Sequence, residues 1–457
     1  MPDRVKAAIR SYGKWLYPGM RVKRWVVVLW GGVLLFSLAV LGWQTHSAIG
    51  YAWVVYLEKR VQGAWAWPLF VAFCALSGVA LIGLGVVQLN RSLLAAFRRP
   101  DQAHVVDVVY EHRRRREGPK IVAIGGGTGL STLLRGLKEY SDNITAIVTV
   151  ADDGGSSGKL REQLGVLPPG DFRNCIAALA DDEALITRLF QYRFGEGEGL
   201  NGHSFGNLFI AAMTAITGSF DRALLESSRV LAVRGRVLPS TLESVVLCAD
   251  VREERVGAEP RWQRIRGESL IPLKAQGRII ERVFLLPDSP RAYPEAVKAI
   301  LDADMIVAGP GSLFTSVLPN LLVPDIVEAI RASRALKVYV CNVATQRGET
   351  DGFGVHDHVM ALQAHVGPGL FPIVVANARF PDTDPPGEGV SWVHLPSEEA
   401  VQAGGYRLVT ADLLDLDQPW RHDPRKLARC LLDLERDARV NSPGSNGFAG
   451  YGVNSIG

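Results

Sequence analysis

Gly125-Gly126-Gly127-Thr128-Gly129 follows the apolar run Ile121–Ile124 and precedes a helical pattern that opens near Leu130. Glycine lets a backbone approach a phosphate closely, and a helix N-terminus favours negative charge. The spacing is not GxGxxG, because Leu130 stands where the last glycine would be, and no lysine follows at the P-loop position. The loop therefore supports a nucleotide phosphate site without naming the nucleotide. A tight strand-to-helix turn with no ligand is the plain alternative.

The next apolar run, Thr145–Val150, delivers Asp152-Asp153 at its C-terminal tip, followed by Gly154-Gly155-Ser156-Ser157-Gly158. In open α/β sheets ligands bind at such tips, where an acidic residue can hold ribose hydroxyls. Paired carboxylates can instead hold Mg²⁺ through waters. Lys159 and Arg161 stand close enough in sequence to face an anion. "PPGDFRN" places Arg173 and Asn174 in the first turn of a helix, with Asp171 as its expected N-cap. "LNGHSFGNLF" sets His203, Ser204 and Asn207 at another helix start. "VAGPGSLFTS" repeats the strand–glycine–helix order with Gly309, Gly311, Ser312 and Thr315, and "CNVATQRGET" puts Asn342 at a strand tip with Thr345 just beyond. Each motif alone is ordinary capping or turn chemistry. Together, after strands and before helices, they predict one shared crevice. No nucleophile elbow of GxSxG type is present. His356 and His358, two apart on a helix, point in different directions and read as packing rather than metal ligation. His422 beside Asp423 is ambiguous in the same way.

The elements that must position these loops alternate. Strands are expected at Ile121–Ile124, Thr145–Val150, Val245–Ala249, Arg282–Leu286, Met305–Ala308, Val338–Cys341 and Pro372–Ala376. Helices are expected at Ser131–Glu139, Asp171–Ala180, Leu208–Thr217, Pro294–Ala303, Asp325–Ala332 and His356–His365. Apolar strands alternating with helices predict an α/β fold, with a doubly wound, mostly parallel sheet.

The first hundred residues are different. Trp25–Trp43 and Trp67–Val87 are uncharged, mostly apolar runs with tryptophans at their ends. At about 1.5 Å per residue each spans a bilayer's hydrocarbon core. Two such runs read as a transmembrane helical hairpin rather than a signal peptide. Arg4, Lys6, Arg10, Lys14, Arg21, Lys23 and Arg24 precede the hairpin, and Arg91, Arg98, Arg99, Arg113–Arg116 and Lys120 follow it. The connecting loop carries only Lys59 and Arg60, so both termini are expected in the cytoplasm. Net charge is only +3, and the Arg113–Arg116 run reads as a juxtamembrane linker near anionic lipid, not as a nucleic-acid patch. The scattered cysteines, Cys74, Cys175, Cys248, Cys341 and Cys430, have no metal-binding spacing and read as reduced thiols. The expected organisation is a basic N-terminus (1–24), a hairpin (25–87), a basic linker (88–119), a nucleotide-binding domain (120–437) and a Gly/Ser/Asn-rich disordered tail (438–457).

The stretches "IVAIGGGTGLSTLLRGL", "ITAIVTVADDGGSSGKLR", "PPGDFRN", "GHSFGNL", "VRGRVLPST", "GPGSLFTSVLPNLLV" and "VCNVATQRGETDGF" closely resemble the YvcK family of gluconeogenesis factors. That family is similar in fold to CofD, the 2-phospho-L-lactate transferase. The resemblance covers roughly Lys120 to Asp437. It implies a Rossmann-like CofD fold, a nucleotide ligand of the UDP-N-acetylglucosamine type, and a role in cell shape and peptidoglycan precursor supply during gluconeogenic growth. Related folds also hold a dinucleotide. By position, Gly125–Gly129 and Asp152–Ser157 would cradle the nucleotide, and Gly309–Thr315 would line the opposite wall. Asp153 matches an acidic position associated with Mg²⁺ or the acceptor. Arg421 matches an arginine linked to the sugar nucleotide. Shorter members often carry threonine just after this motif, a phosphorylation site; Pro424 stands there here. The hairpin and the tail also depart from those members.

Two functions follow from the resemblance. One is a plasma-membrane-tethered, multi-pass sensor whose cytoplasmic domain binds UDP-N-acetylglucosamine and signals to a protein partner in envelope synthesis. The other is a CofD-like transferase that uses Mg²⁺ and a nucleotide diphosphate donor. The sensor is favoured, because no aromatic platform for a large deazaflavin acceptor is evident. Self-association into a homo-oligomer stays open.

Overall fold

A computed structural model describes residues 23–44, 66–95, 113–181, 183–197, 199–254, 259–381 and 389–440. The chain divides into two units, Met1–Glu111 and His112–Gly457.

The first unit is an antiparallel-type pairing of two apolar helices in sequence order, α1 (Lys23–Gln44) and α2 (Ala66–Ala95). Within them Arg24–Trp43 and Leu69–Asn90 are long and apolar enough to cross a membrane. Their backbones touch where side chains are absent. A Cβ on Gly32 would lie 2.8 Å from the Ile82 nitrogen, and one on Gly78 would lie 2.8 Å from the Phe36 nitrogen. Small residues at a helix crossing allow this approach. The outward faces carry Trp30, Leu34, Leu38, Leu41, Phe70, Phe73 and Leu76, all exposed. An apolar exterior of this kind suits lipid rather than water.

The second unit is built on a seven-stranded parallel sheet. Its strands are β1 (Ile121–Gly125), β2 (Ile144–Val148), β3 (Arg236–Pro239), β7 (Met305–Ala308), β8 (Leu336–Val340), β9 (Ile373–Asn377) and β10 (Arg407–Ala411). Their order is β10-β9-β8-β7-β1-β2-β3, with every pairing parallel. The chain therefore winds outward from β1 through β2 to β3, then returns to β7 on the other side of β1 and winds outward again. β1, β2 and β7 are wholly buried, as strands covered on both faces by helices must be.

Two expected strands do not join this sheet. β4 (Val246–Glu253) and β6 (Ile279–Leu286) pair antiparallel and, with β5 (Arg261–Arg266), form a separate three-stranded sheet in the order β5-β4-β6. Their side chains alternate between buried and exposed along β6, the mark of a sheet with one solvated face. β3, β5 and β10 were not expected. They are short or rich in arginine and carry little apolar signal.

Helices α3 (Gly127–Leu137), α4 (Gly155–Leu164), α5 (Gly170–Leu179), α6 (Phe205–Thr217) and α7 (Phe220–Val230) follow the first two strands. α3 begins at Gly127, inside the glycine cluster and earlier than the apolar pattern indicates. The last helix, α8 (Pro424–Val440), packs along α3 and runs three residues past Asp437. The remainder of the expected tail, the segment 1–22 and the linker residues 96–112 lie outside the described residues.

α8 closes on α3 at Gly136, where a Cβ would overlap the Pro424 carbonyl oxygen and meet the Ala428 Cβ at 2.9 Å. The overlapped atom is backbone at a helix start, so relief requires moving α8. Gly136→Ala is therefore expected to destabilise the domain by about 1–3 kcal/mol despite alanine's better helix propensity. Thermal unfolding of the full chain in detergent measures this; a stabilised variant would contradict the packing.

Candidate functional site

Parallel pairing places the C-terminal tips of β1, β7 and β8 side by side, and the glycine loops come with them. Ile121 to Ile124 pair with Met305 to Ala308, so Gly125–Gly129 and Gly309–Ser312 leave the sheet next to each other. The two loops are in van der Waals contact. A Cβ on Gly129 would overlap the Pro310 carbonyl oxygen and lie 2.8 Å from the Gly311 Cα. Asn342, from the tip of β8, clasps the second loop at both ends of one residue. Its Oδ1 accepts from the Gly311 N–H at 3.0 Å, and its Nδ2 donates to the Gly311 carbonyl at 2.9 Å.

Around these loops lies a cleft of about 740 Å³. That is within the roughly 300–1,000 Å³ usual for small-molecule sites. It sits where the strand order reverses between β1 and β7, the topological switch point of an open α/β sheet. Of the residues expected from sequence, Gly126, Gly127, Thr128, Gly129, Asp152, Asn174, Gly311, Ser312, Thr315, Asn342 and Arg421 line it. Thr128 and Gly129 lie in the first turn of α3, whose N–H groups have no intrahelical acceptor.

Other expected residues stand behind the cleft. Gly125 is buried within β1. Ser157 hydrogen-bonds Asp152, accepts from the Gly170 N–H at 3.1 Å, and accepts from Asn207 Nδ2 at 3.4 Å. Ser156 pairs with His203 Nδ1 at 3.0 Å. Arg173 donates to Ser204 Oγ at 2.6 Å and to Asn174 Oδ1 at 3.0 Å. Ser156, Ser157, Arg173, His203 and Asn207 thus form a polar layer that fixes α4, α5 and α6 against one another. Gly309 supports its loop from below, against Val340. Gly154 and Gly155 begin α4, where the Gly154 N–H donates to Asp152 Oδ1 at 2.9 Å.

Asp153 requires a correction. Its carboxylate does not face the glycine loops; Oδ1 accepts from the Ser269 N–H at 2.9 Å. With Gly155, Lys159 and Arg161 it borders a separate, open depression. Of the Asp152–Asp153 pair, only Asp152 lines the cleft. Asp171 is corrected too. Pro169 caps α5, and the Asp171 carboxylate instead accepts from the Gly127 N–H across the cleft.

Sequence reasoning missed Glu268, Gln346, Arg347, Glu349 and Trp420 and left His422 open; all of them line the cleft. Glu268 arrives from a short 3₁₀ turn beyond β5, Glu268–Leu270, and no sequence periodicity ties that turn to the parallel sheet. Glu349 lies within the quoted β8 motif and could have been noticed. Its carboxylate accepts from Thr315 Oγ1 at 3.1 Å and from the N–H groups of Phe314 and Thr315. The hydroxyl of Thr315, expected to meet a ligand, is therefore already engaged by a protein carboxylate. His422 hydrogen-bonds the Cys341 backbone, and burial pushes its imidazole down to about 4, so it is neutral at physiological pH. His356 and His358 sit on the helix Val355–Val366, and His358 Nδ1 contacts the Gly354 carbonyl oxygen at 2.8 Å, a packing role.

Asp152, Asp171, Glu268 and Glu349 make the cleft unusual. Desolvation, then the mutual repulsion of the other carboxylates, pushes Glu268 up to about 9. Desolvation, then Asp152, pushes Asp171 up to about 7. Desolvation pushes Glu349 to about 7 and raises Asp152 as well. At neutral pH Glu268 holds its proton and Asp171 and Glu349 lie near their midpoints, so the cleft is less negative than its composition, and Glu268 can donate a hydrogen bond to an anionic oxygen. Among the described residues, no three His, Cys, Asp or Glu side chains meet in an arrangement that could hold a metal ion by themselves.

Residues 121–414 match the family model described as "2-phospho-L-lactate transferase CofD". The chain is 47% identical over 327 residues to the gluconeogenesis factor of Bacillus subtilis strain 168, covering 70% of this chain and 99% of that one. It is 48% identical over 443 residues to a relative from Nostoc sp. strain PCC 7120 named for the same factor, covering 94% of each chain. A crystal structure of a UPF0052-family protein from Bacillus halodurans superposes with a TM-score of 0.63 at 46% identity, covering 69% of this chain and 99% of that one. The fold and the site define a protein of the CofD class, and the chain belongs to the gluconeogenesis factor family within it. The Nostoc relative matches nearly the whole chain, so the N-terminal region that the shorter Bacillus relatives lack is shared within the family.

An acid whose pKa is raised by folding keeps its proton longer in the folded chain, so it favours the fold at low pH and loses that advantage as pH climbs to the folded value. For Glu268 the window runs from its ordinary 4.5 up to about 9. The unfolding temperature is therefore expected to fall across this range, and more shallowly in Glu268→Gln than in wild type. Parallel melting curves across the pH series would contradict the carboxylate cluster.

Proposed function

We propose that this chain is a nucleotide-sugar-binding regulator, with a ligand of the UDP-N-acetylglucosamine type held in the cleft at the β1/β7 switch point. The observation that carries the reading is the contact between the two glycine loops. It presents backbone N–H groups of Thr128 and Gly129 and the polar Ser312 to one place, as a diphosphate requires. Arg421 and Arg347 supply positive charge to the same cleft. The protonated Glu268 carboxyl would donate to a phosphate or sugar oxygen. In this reading the hairpin inserts into the plasma membrane as a multi-pass anchor, leaving the domain in the cytoplasm. There it would signal nucleotide-sugar supply to a protein partner in envelope synthesis and so support cell shape under gluconeogenic growth.

The second reading, a CofD-like transferase acting on a nucleotide diphosphate donor, is favoured by the carboxylates. Their oxygens suit a hard cation, and Mg²⁺ typically takes one or two carboxylates plus ligand phosphates. Asp152 and Asp171 would hold it, and the ion would neutralise charge on the diphosphate. A dinucleotide in the same cleft is the other ligand to distinguish.

Mass spectrometry of nucleotide extracted from the purified full chain, followed by calorimetric titration with UDP-N-acetylglucosamine, tests the reading. Arg421→Ala should weaken binding roughly ten- to a hundredfold, the value of one lost charged hydrogen bond. Unchanged affinity in that variant would remove Arg421 from the site. Consumption of a nucleotide donor with an acceptor and Mg²⁺ would favour the transferase.

A further inference from the structure

The cleft is lined by apolar as well as polar residues, and the two call for different parts of a ligand. Carboxylates and glycine loops supply the polar lining. Val343, Ala344, Val390 and Trp420 also line it. The first three belong to a small hydrophobic cluster separate from the main core. Trp420 is the one Phe, Tyr or Trp among the described lining residues. It keeps 39% of its surface exposed.

An indole exposed in a polar cleft offers a flat apolar face on which a planar group of a ligand can stack. Its backbone is held in place. The segment Asp415–Arg421 closes on itself through the Asp415 N–H to the Arg421 carbonyl at 3.1 Å and the Arg421 N–H to the Gln418 carbonyl at 2.8 Å. Leu414 and His422 bridge at its base. The Asp415 carboxylate further accepts from the Asp417 N–H at 2.8 Å. The backbone that carries the ring is thus closed by hydrogen bonds.

We propose that Trp420 is the stacking platform for the ligand's nucleobase, with Val343, Ala344 and Val390 as apolar lining of the same cleft. The inference rests on the nucleotide-sugar reading above and adds where the base lies. Base–aromatic stacking tolerates any base, since each has a π-face, so the platform supplies affinity while neighbouring polar groups select the base. The ring belongs to the site by contact with the ligand; the fold does not depend on it, because the turn is closed by backbone bonds.

The test uses the full chain in detergent, titrated with UDP-N-acetylglucosamine and with base-free N-acetylglucosamine 1-phosphate. Trp420→Ala should weaken UDP-N-acetylglucosamine roughly ten- to a hundredfold and leave the base-free probe within about twofold. Trp420→Phe should stay within about threefold of wild type and lose the quenching of tryptophan fluorescence that the nucleotide causes in the wild type. Unchanged nucleotide affinity in Trp420→Ala overturns the proposal. So does equal weakening of both probes, or quenching that persists in Trp420→Phe. A wild type that binds neither probe overturns the nucleotide-sugar reading and this inference together, whereas wild-type binding without an effect of Trp420 overturns only this one.

Discussion

Everything at the candidate site depends on β1 and β7 being neighbours. Their pairing is parallel and in register, so both loops emerge at the same height on the same edge. At their point of contact a residue without a side chain is required. Gly129 against Pro310 and Gly311 is a contact that no Cβ could enter. The Asn342 clasp fixes the second loop against the neighbouring strand, so the cradle is set by main-chain geometry rather than by adaptable side chains. Asn320, fully buried, adds a tie from Nδ2 to the Gly125 carbonyl at 3.0 Å.

The electrostatics follow from the same convergence. Loops from β2, from the antiparallel sheet and from β8 each bring a carboxylate toward the cradle, and none brings a lysine into it among the described lining residues. Such a set cannot stay fully ionised at close quarters. It holds protons, meets a cation, or meets ligand donors, and each alternative couples ligand binding to the protonation state of the cleft. The polar layer of Ser156, Ser157, Arg173, His203 and Asn207 steadies Asp152 and α5 from behind, with Arg173 offsetting part of the charge on Asp152 and Asp171.

Much of this was legible in the sequence, because strand tips and glycine loops are local signals. The buried parallel strands β1, β2, β7, β8 and β9 announce themselves as short apolar runs, and Gly126–Gly129, Asp152 and Asn342 follow from where those runs end. What escaped was long-range. Glu268 reaches the cleft through a sheet whose antiparallel pairing no local pattern reveals. Trp420 and His422 reach it through a turn after the last strand. Asp153 was placed at the glycine loops from its position after the second strand, whereas its carboxylate accepts from the Ser269 N–H; Asp171 was read as the cap of α5, whereas Pro169 stands there and the Asp171 carboxylate reaches the Gly127 N–H at the cleft. Thr315 was assigned to a ligand because nothing in the sequence shows that Glu349, thirty-four residues later, takes its hydroxyl.

The central claim is that a nucleotide sugar is held where the β1 and β7 loops meet. Hydrogen–deuterium exchange of the full chain, with and without saturating UDP-N-acetylglucosamine, tests it most directly, because the claimed contacts are backbone N–H groups. The account predicts slowed exchange in peptides spanning 125–132, 309–316 and 342–349, with no change along β5 at 261–266. Unaltered exchange in the two glycine loops, with protection confined to another part of the chain, would contradict it.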